Sequence, residues 1–60
     1  MNMREFCDHL KALGRAAAED GFDPKRARHL LMHETRSAAS ASYAYREGYL
    51  PARAALQLVA

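Results

Sequence analysis

From Met3 onward the apolar positions recur in steps of three and four: Met3, Phe6, Cys7, Leu10, Leu13, Gly14 and Ala17 share one stripe, while Arg4, Asp8, Lys11, Arg15 and Glu19 fall off it. That period predicts an amphipathic helix with one face against a core. Asn2, with Glu5 three residues later, has the spacing of a capping box, so the helix begins at Met3. Gly21 is the residue best suited to the left-handed conformation beyond a helix end, and Phe22 is placed to fold over that end. Gly14, inside the stripe, costs about 1 kcal/mol relative to alanine and marks either a close helix crossing or a local break.

Asp23 followed by Pro24 starts a second helix: the aspartate caps free backbone N–H groups and proline is preset for the first helical position. The connection is so short that the second helix must run back along the first or cross it steeply. No glycine or proline interrupts the chain from Pro24 to Glu47, which predicts a helix of about 36 Å. Two apolar lines can be drawn on it, one through Ala27, Leu31, Ala38, Ala41 and Tyr45, the other through Met32, Thr35, Ala39 and Tyr43. Between Ser37 and Ser42 there is only serine and alanine, which lets another helix approach closely and is also where a kink is easiest. Gly48 and Pro51 read as the end of this helix, with Tyr49 and Leu50 at the corner. A short third helix from Pro51 to Val59, with Ala52, Ala55, Leu56 and Val59 on one face, is expected to run back beside Tyr43 and Tyr45. The fold class predicted is all-α: three helices, two long ones in a helical hairpin and one short and C-terminal, in a single small domain of residues 1–60 that assembles as a dimeric bundle.

Composition sharpens the assembly argument. A chain of 60 residues buries only about 60% of its unfolded surface, and although half of its residues are apolar, many are alanine. The large anchors are few: Phe6, Leu10, Leu13, Phe22, Leu30, Leu31, Leu50, Leu56, Leu58 and Val59. One cysteine, Cys7, makes no internal disulfide, so a homodimer or an obligate protein partner is the expected source of added stability. The lone thiol, with no basic and apolar leader and no stretch of about 20 apolar residues, points to a reducing cytoplasm and away from the membrane. The net charge of +2 permits a nucleic-acid partner without arguing for one.

The strongest candidate chemistry is the tyrosine cluster. Tyr43, Tyr45 and Tyr49, near Arg46 and Arg53, are of the types enriched at binding hot spots because they bury large rigid area and keep a polar tip. With the small residues before them they define an expected partner or dimer interface of Ala38, Ala41, Ser42, Tyr43, Tyr45 and Tyr49. The reading is a small non-enzymatic regulatory or inhibitory protein, of the kind common among bacterial and phage-encoded short proteins, that docks a helical face on a protein partner. A second reading starts from Ala17, Gly21, Phe22, Ala27 and Leu30, which resemble the helix-turn-helix of DNA-binding regulators: an alanine in the first helix, a glycine four residues on in the turn, and apolar residues fixing the second helix. The resemblance covers about a quarter of the chain, and Asp20 departs from it, because that position is commonly small or apolar. It implies DNA contacts from Lys25, Arg26, Arg28 and His29, in the first turns of the second helix, where the helix dipole favours an anion.

Other constellations fall short of a site. His29 and His33, four apart, can share a metal, but a closed site needs more ligands, and Cys7 and His9, two apart on a helix, point to nearly opposite sides. Glu34 does not directly follow the first histidine, as a metalloprotease motif requires. Ser37 four residues after His33, and Cys7 near His9, have no orienting acid. No cofactor, metal, small-molecule substrate or catalytic residue is expected. The terminal Leu58-Val59-Ala60 resembles the small apolar tails that bacterial AAA+ proteases recognise, and also reads simply as a helix end.

Overall fold

Both helix starts that the caps predict are present. Helix α1 spans Met3–Glu19. The Asn2 side chain accepts the Glu5 N–H at 2.9 Å and donates to Glu5 Oε1 at 3.0 Å. At the other end Gly21 takes φ +82°, the Gly21 N–H donates to the Ala18 carbonyl at 3.0 Å and the Phe22 N–H to the Ala17 carbonyl at 3.1 Å. This pair of bonds is a Schellman motif and satisfies carbonyls that the helix end would leave free. Helix α2 spans Pro24–Thr35, with Asp23 accepting the Arg26 N–H at 2.8 Å and Pro24 at its start. The computed structural model describes residues 1–59, apart from the Val59 side chain, and within them the protein is all-α, with three helices. The resemblance of the terminal tripeptide to a protease-recognised tail therefore lies partly outside the described residues.

The second and third helices divide differently from the expectation. Instead of continuing to Glu47, α2 stops at Thr35, and Arg36 turns the chain at φ 54°. A non-glycine residue in that left-handed region costs about 1–2 kcal/mol, which the surroundings offset. The Arg36 N–H donates to the Met32 carbonyl at 2.8 Å, the Thr35 hydroxyl donates to the Leu31 carbonyl at 2.8 Å, and Ser37 caps the next helix by accepting the Ser40 N–H at 3.3 Å. The larger gain is packing. Had the helix stayed straight, Ala27 and Leu31 could not have met Ala41 and Ala44; the turn folds these residues into one core, and all four are buried.

The expected stop at Gly48 and Pro51 is likewise replaced by continuous helix. Helix α3 (Ala38–Ala44) passes into a π-helical segment (Tyr45–Tyr49) and then into α4 (Leu50–Val59). The Leu50 N–H donates to the Tyr45 carbonyl, five residues back. The widened turn explains how the helix accommodates Pro51, whose ring and missing N–H would otherwise disrupt a regular α-turn at this point. So α4 does not run back beside Tyr43 and Tyr45; it extends the same rod. Of the face expected to hold it, Ala52 is half-buried, while Ala55 is exposed and Leu56 largely so.

The third helix runs parallel to α1, with α2 antiparallel between tight turns. Tyr43 lies beside Cys7, Gly48 against Lys11, and Arg53 and Leu56 beside Ala18. The crossing is so close that a Cβ on Gly14 would overlap the Ala44 carbonyl oxygen and stand 2.6 Å from the Tyr49 nitrogen. A Cβ on Gly48 would overlap the Lys11 carbonyl oxygen. Gly14 thus marks the close crossing, and Gly48 is the other half of it. The core is small: Leu10, Ala17, Ala18, Ala27, Leu31, Ala41, Ala44 and Tyr49, of which Tyr49 and Leu31 are the largest fully buried side chains. The chain is elongated, 36 × 21 × 14 Å, and no helix among the described residues is long and apolar enough to cross a membrane.

Candidate functional site

The three tyrosines are separated by the fold. Tyr49, expected at a partner interface, is instead 0% exposed and sits at the centre of the molecule. Its hydroxyl donates to the Phe22 carbonyl at 2.6 Å and accepts from the Arg53 guanidinium, which also reaches that carbonyl at 3.5 Å. A buried phenol needs such partners, because leaving it unpaired costs about 1–3 kcal/mol. Tyr49 therefore fastens the third helix to the turn between α1 and α2.

Tyr45 stacks on Tyr49, ring centres 5.1 Å apart and planes within 16°. The Arg28 guanidinium lies 5.4 Å from the Tyr45 ring centre and donates to the Tyr45 hydroxyl at 3.2 Å. Both contacts immobilise a half-buried aromatic edge. That edge forms one end of a shallow groove of about 300 Å³ between α2 and α3, lined by Arg28, Met32, Ala38, Ala41, Ser42 and Tyr45. The fold therefore gathers four of the six expected interface residues, Ala38, Ala41, Ser42 and Tyr45, on one surface. Met32, 47% exposed, completes its floor. Arg28 and Met32 lie outside the interface expected from residue type, since on a straight helix Met32 falls on a different line from Ala41 and Tyr45. Only the turn at Arg36 sets them face to face.

Tyr43 points elsewhere, toward α1. Its partial burial, and then the neighbouring Cys7 thiol, raise its hydroxyl above the ordinary value of 10.0, with smaller contributions from Glu47 and Asp8. It is half-buried against the core and does not line the groove.

The four candidate nucleic-acid contacts, Lys25, Arg26, Arg28 and His29, are all exposed on α2. Two are engaged by aromatic rings of their own chain: Arg26 lies 5.6 Å from the Phe22 ring centre, and Arg28 covers Tyr45. Lys25 and His29, four apart, occupy the outer face. Of the residues in the helix-turn-helix-like pattern, Ala17 and Ala27 are buried, Phe22 and Leu30 half-buried, and Gly21 lies in the left-handed turn. Among the described residues no group of three or more histidine, cysteine or acidic side chains is arranged to hold a metal. Ser37 serves as a helix cap. Compared with known proteins, the chain matches no family, and no characterised protein or solved structure resembles it significantly.

Proposed function

We propose that the protein is a small regulatory or inhibitory adaptor, without enzymatic activity, that binds a protein partner through the groove between α2 and α3. The observation that carries this reading is the groove itself: an apolar floor of Met32, Ala38 and Ala41, closed at one end by a tyrosine that Tyr49 and Arg28 hold in a single orientation. An aromatic side chain immobilised before binding has little rotamer entropy left to lose. Tyrosine, methionine and arginine are also the types enriched in interface cores. An apolar side chain of a partner helix fits such a surface, in the manner of helix-in-groove recognition. The free, half-buried Cys7 agrees with action in a reducing cytoplasm.

The test compares baits. Proteins retained by the native chain should be lost with Met32→Lys and weakened at least about ten-fold with Tyr45→Ala, while Lys25→Ala retains them. Retention unchanged in both groove variants rejects the reading.

A helix-turn-helix DNA-binding regulator is the second reading, favoured by the exposure of Lys25, Arg26, Arg28 and His29 together on the helix that follows the Gly21 turn. It predicts affinity that falls steeply with salt and drops when Lys25 or His29 becomes alanine. A gel-shift titration without binding at low salt removes it.

A further inference from the structure

One strained position holds the two halves of the molecule in their closed arrangement. Arg36 is the only non-glycine residue with a positive φ among the described residues, 54°. With Ser37 it makes up the whole connection between α2, ending at Thr35, and α3, beginning at Ala38. Neither residue is a helix breaker. Arginine is among the better helix formers and alanine the best, and the run from Ser37 to Ser42 holds only serine and alanine. The chain from Pro24 to Glu47 is therefore able to form one unbroken helix, and in the closed molecule only the left-handed turn interrupts it.

The same turn divides the core. Leu10, Ala17, Ala27 and Leu31 precede it, and Ala41, Ala44 and Tyr49 follow it. The Tyr49 bond to the Phe22 carbonyl, the Arg28 bond to Tyr45 and the close approach of Gly14 to Ala44 each join one half to the other. Neither half has a core of its own; each needs the surface that the other presents.

We propose that the chain pairs with a second copy of itself by exchanging halves. The turn at Arg36 opens into continuous helix, and α1 with α2 of each copy packs on α3 with α4 of the other. The occupant is a second copy because the surface each opened half exposes is the one its own other half fits, and another copy supplies that half unchanged. Exchange relieves the left-handed turn in both chains. It gives up only the Ser37 cap on the Ser40 N–H and the contacts immediately beside the turn. A short connection under strain favours such swapping. Against it stands the freedom lost when two chains become one particle, so the closed monomer is the form at low concentration and the pair appears at high concentration. Passing between them separates the halves and opens the core, which makes the interchange slow. Nothing in this inference depends on what the groove between α2 and α3 binds, so it goes beyond the adaptor reading.

The test is to unfold the full chain in urea with a reductant present, refold it at about 0.01 and about 1 mM, and measure mass by size-exclusion chromatography with light scattering. A species of two chains is expected after refolding at the higher concentration, and it should persist on dilution. Arg36→Gly, which favours the turn, should cut the two-chain fraction at least about ten-fold. Arg36→Ala combined with Ser37→Ala, which favours straight helix, should raise it. Cys7 and Tyr43 are neighbours from opposite halves. In a Tyr43→Cys variant a short bis-maleimide should therefore join these two positions within one chain in the closed form and between chains in the exchanged form. Linked dimers on a denaturing gel are the expected outcome for the two-chain species. A single-chain mass under every condition, a two-chain species whose links all lie within chains, or a two-chain fraction no smaller in Arg36→Gly overturns the proposal.

Discussion

The Tyr49 hydroxyl donates to the Phe22 carbonyl oxygen at 2.6 Å, joining residues 27 apart in sequence across the centre of the molecule. Around this bond the turn after α1, the π segment and Arg53 are held together. Tyr49→Phe keeps the ring and removes the bond, so it should destabilise the fold by about 1–3 kcal/mol. In a chain of this size each kcal/mol lowers the melting temperature by about 4–8 °C. Tyr49→Ala should lose about 3–5 kcal/mol, enough to leave much of the chain unfolded. Thermal and urea unfolding followed by circular dichroism distinguish the two.

Alanine at Gly14 or Gly48 should be strongly destabilising, by more than about 3 kcal/mol, because the added methyl meets backbone atoms that cannot yield without separating α1 from the third helix. Helix propensity alone predicts the opposite sign, a gain of about 1 kcal/mol. Gly21→Ala, with no atom within 4 Å of its new methyl, suffers only the left-handed backbone penalty, about 1–2 kcal/mol. Equilibrium unfolding of the three variants should therefore leave Gly21→Ala the most stable of them.

Arg36→Gly should raise stability by up to about 1 kcal/mol, since glycine adopts the left-handed turn without a Cβ penalty. Ser37→Ala should lower it by about 1 kcal/mol through loss of the cap. If α2 instead ran on without a break, the glycine would weaken a helix interior. A melting temperature that falls in Arg36→Gly thus contradicts the turn.

Raised above 10.0, the Tyr43 hydroxyl holds its proton more tightly in the folded chain than in the unfolded one. Its contribution to stability is fully present below the unfolded value and is lost as pH rises through the folded one. Tyrosinate absorbance should show Tyr43 ionising above the ordinary range, and Tyr43→Phe should remove that phase. Cys7→Ala should lower it, because the thiol is part of the cause.

Local chemistry was legible wherever a few neighbouring residues settle a conformation. The Asn2 and Glu5 cap, the Gly21 and Phe22 end of α1, and the Asp23-Pro24 start of α2 each depend on hydrogen bonds or dihedrals within five residues. The apolar stripe of α1 follows from its period over Leu10, Leu13, Gly14 and Ala17, whereas Met3 and Phe6 at its start are exposed because no other element packs over them; Gly14 was readable as either a close crossing or a break, and contact with Ala44 and Tyr49 decides for the crossing. For the candidate surface, Ala38, Ala41, Ser42 and Tyr45 stood out by residue type, whereas the inclusion of Met32 and Arg28 did not.

Taken by itself, the sequence determined the all-α class, the first helix with both its ends, the start of the second, and the scarcity of large apolar side chains. Tertiary structure decided the rest. Arg36 turns against its own preference because the turn buries Ala27 and Leu31 against Ala41 and Ala44. Gly48 and Pro51, stop signals in isolation, remain helical because contact with Lys11 requires a residue without a side chain and the π turn accommodates the proline. Tyr49 is buried because its polar partner lies 27 residues away at Phe22. In each case the deciding energy is a contact between distant segments, which no local window of sequence contains.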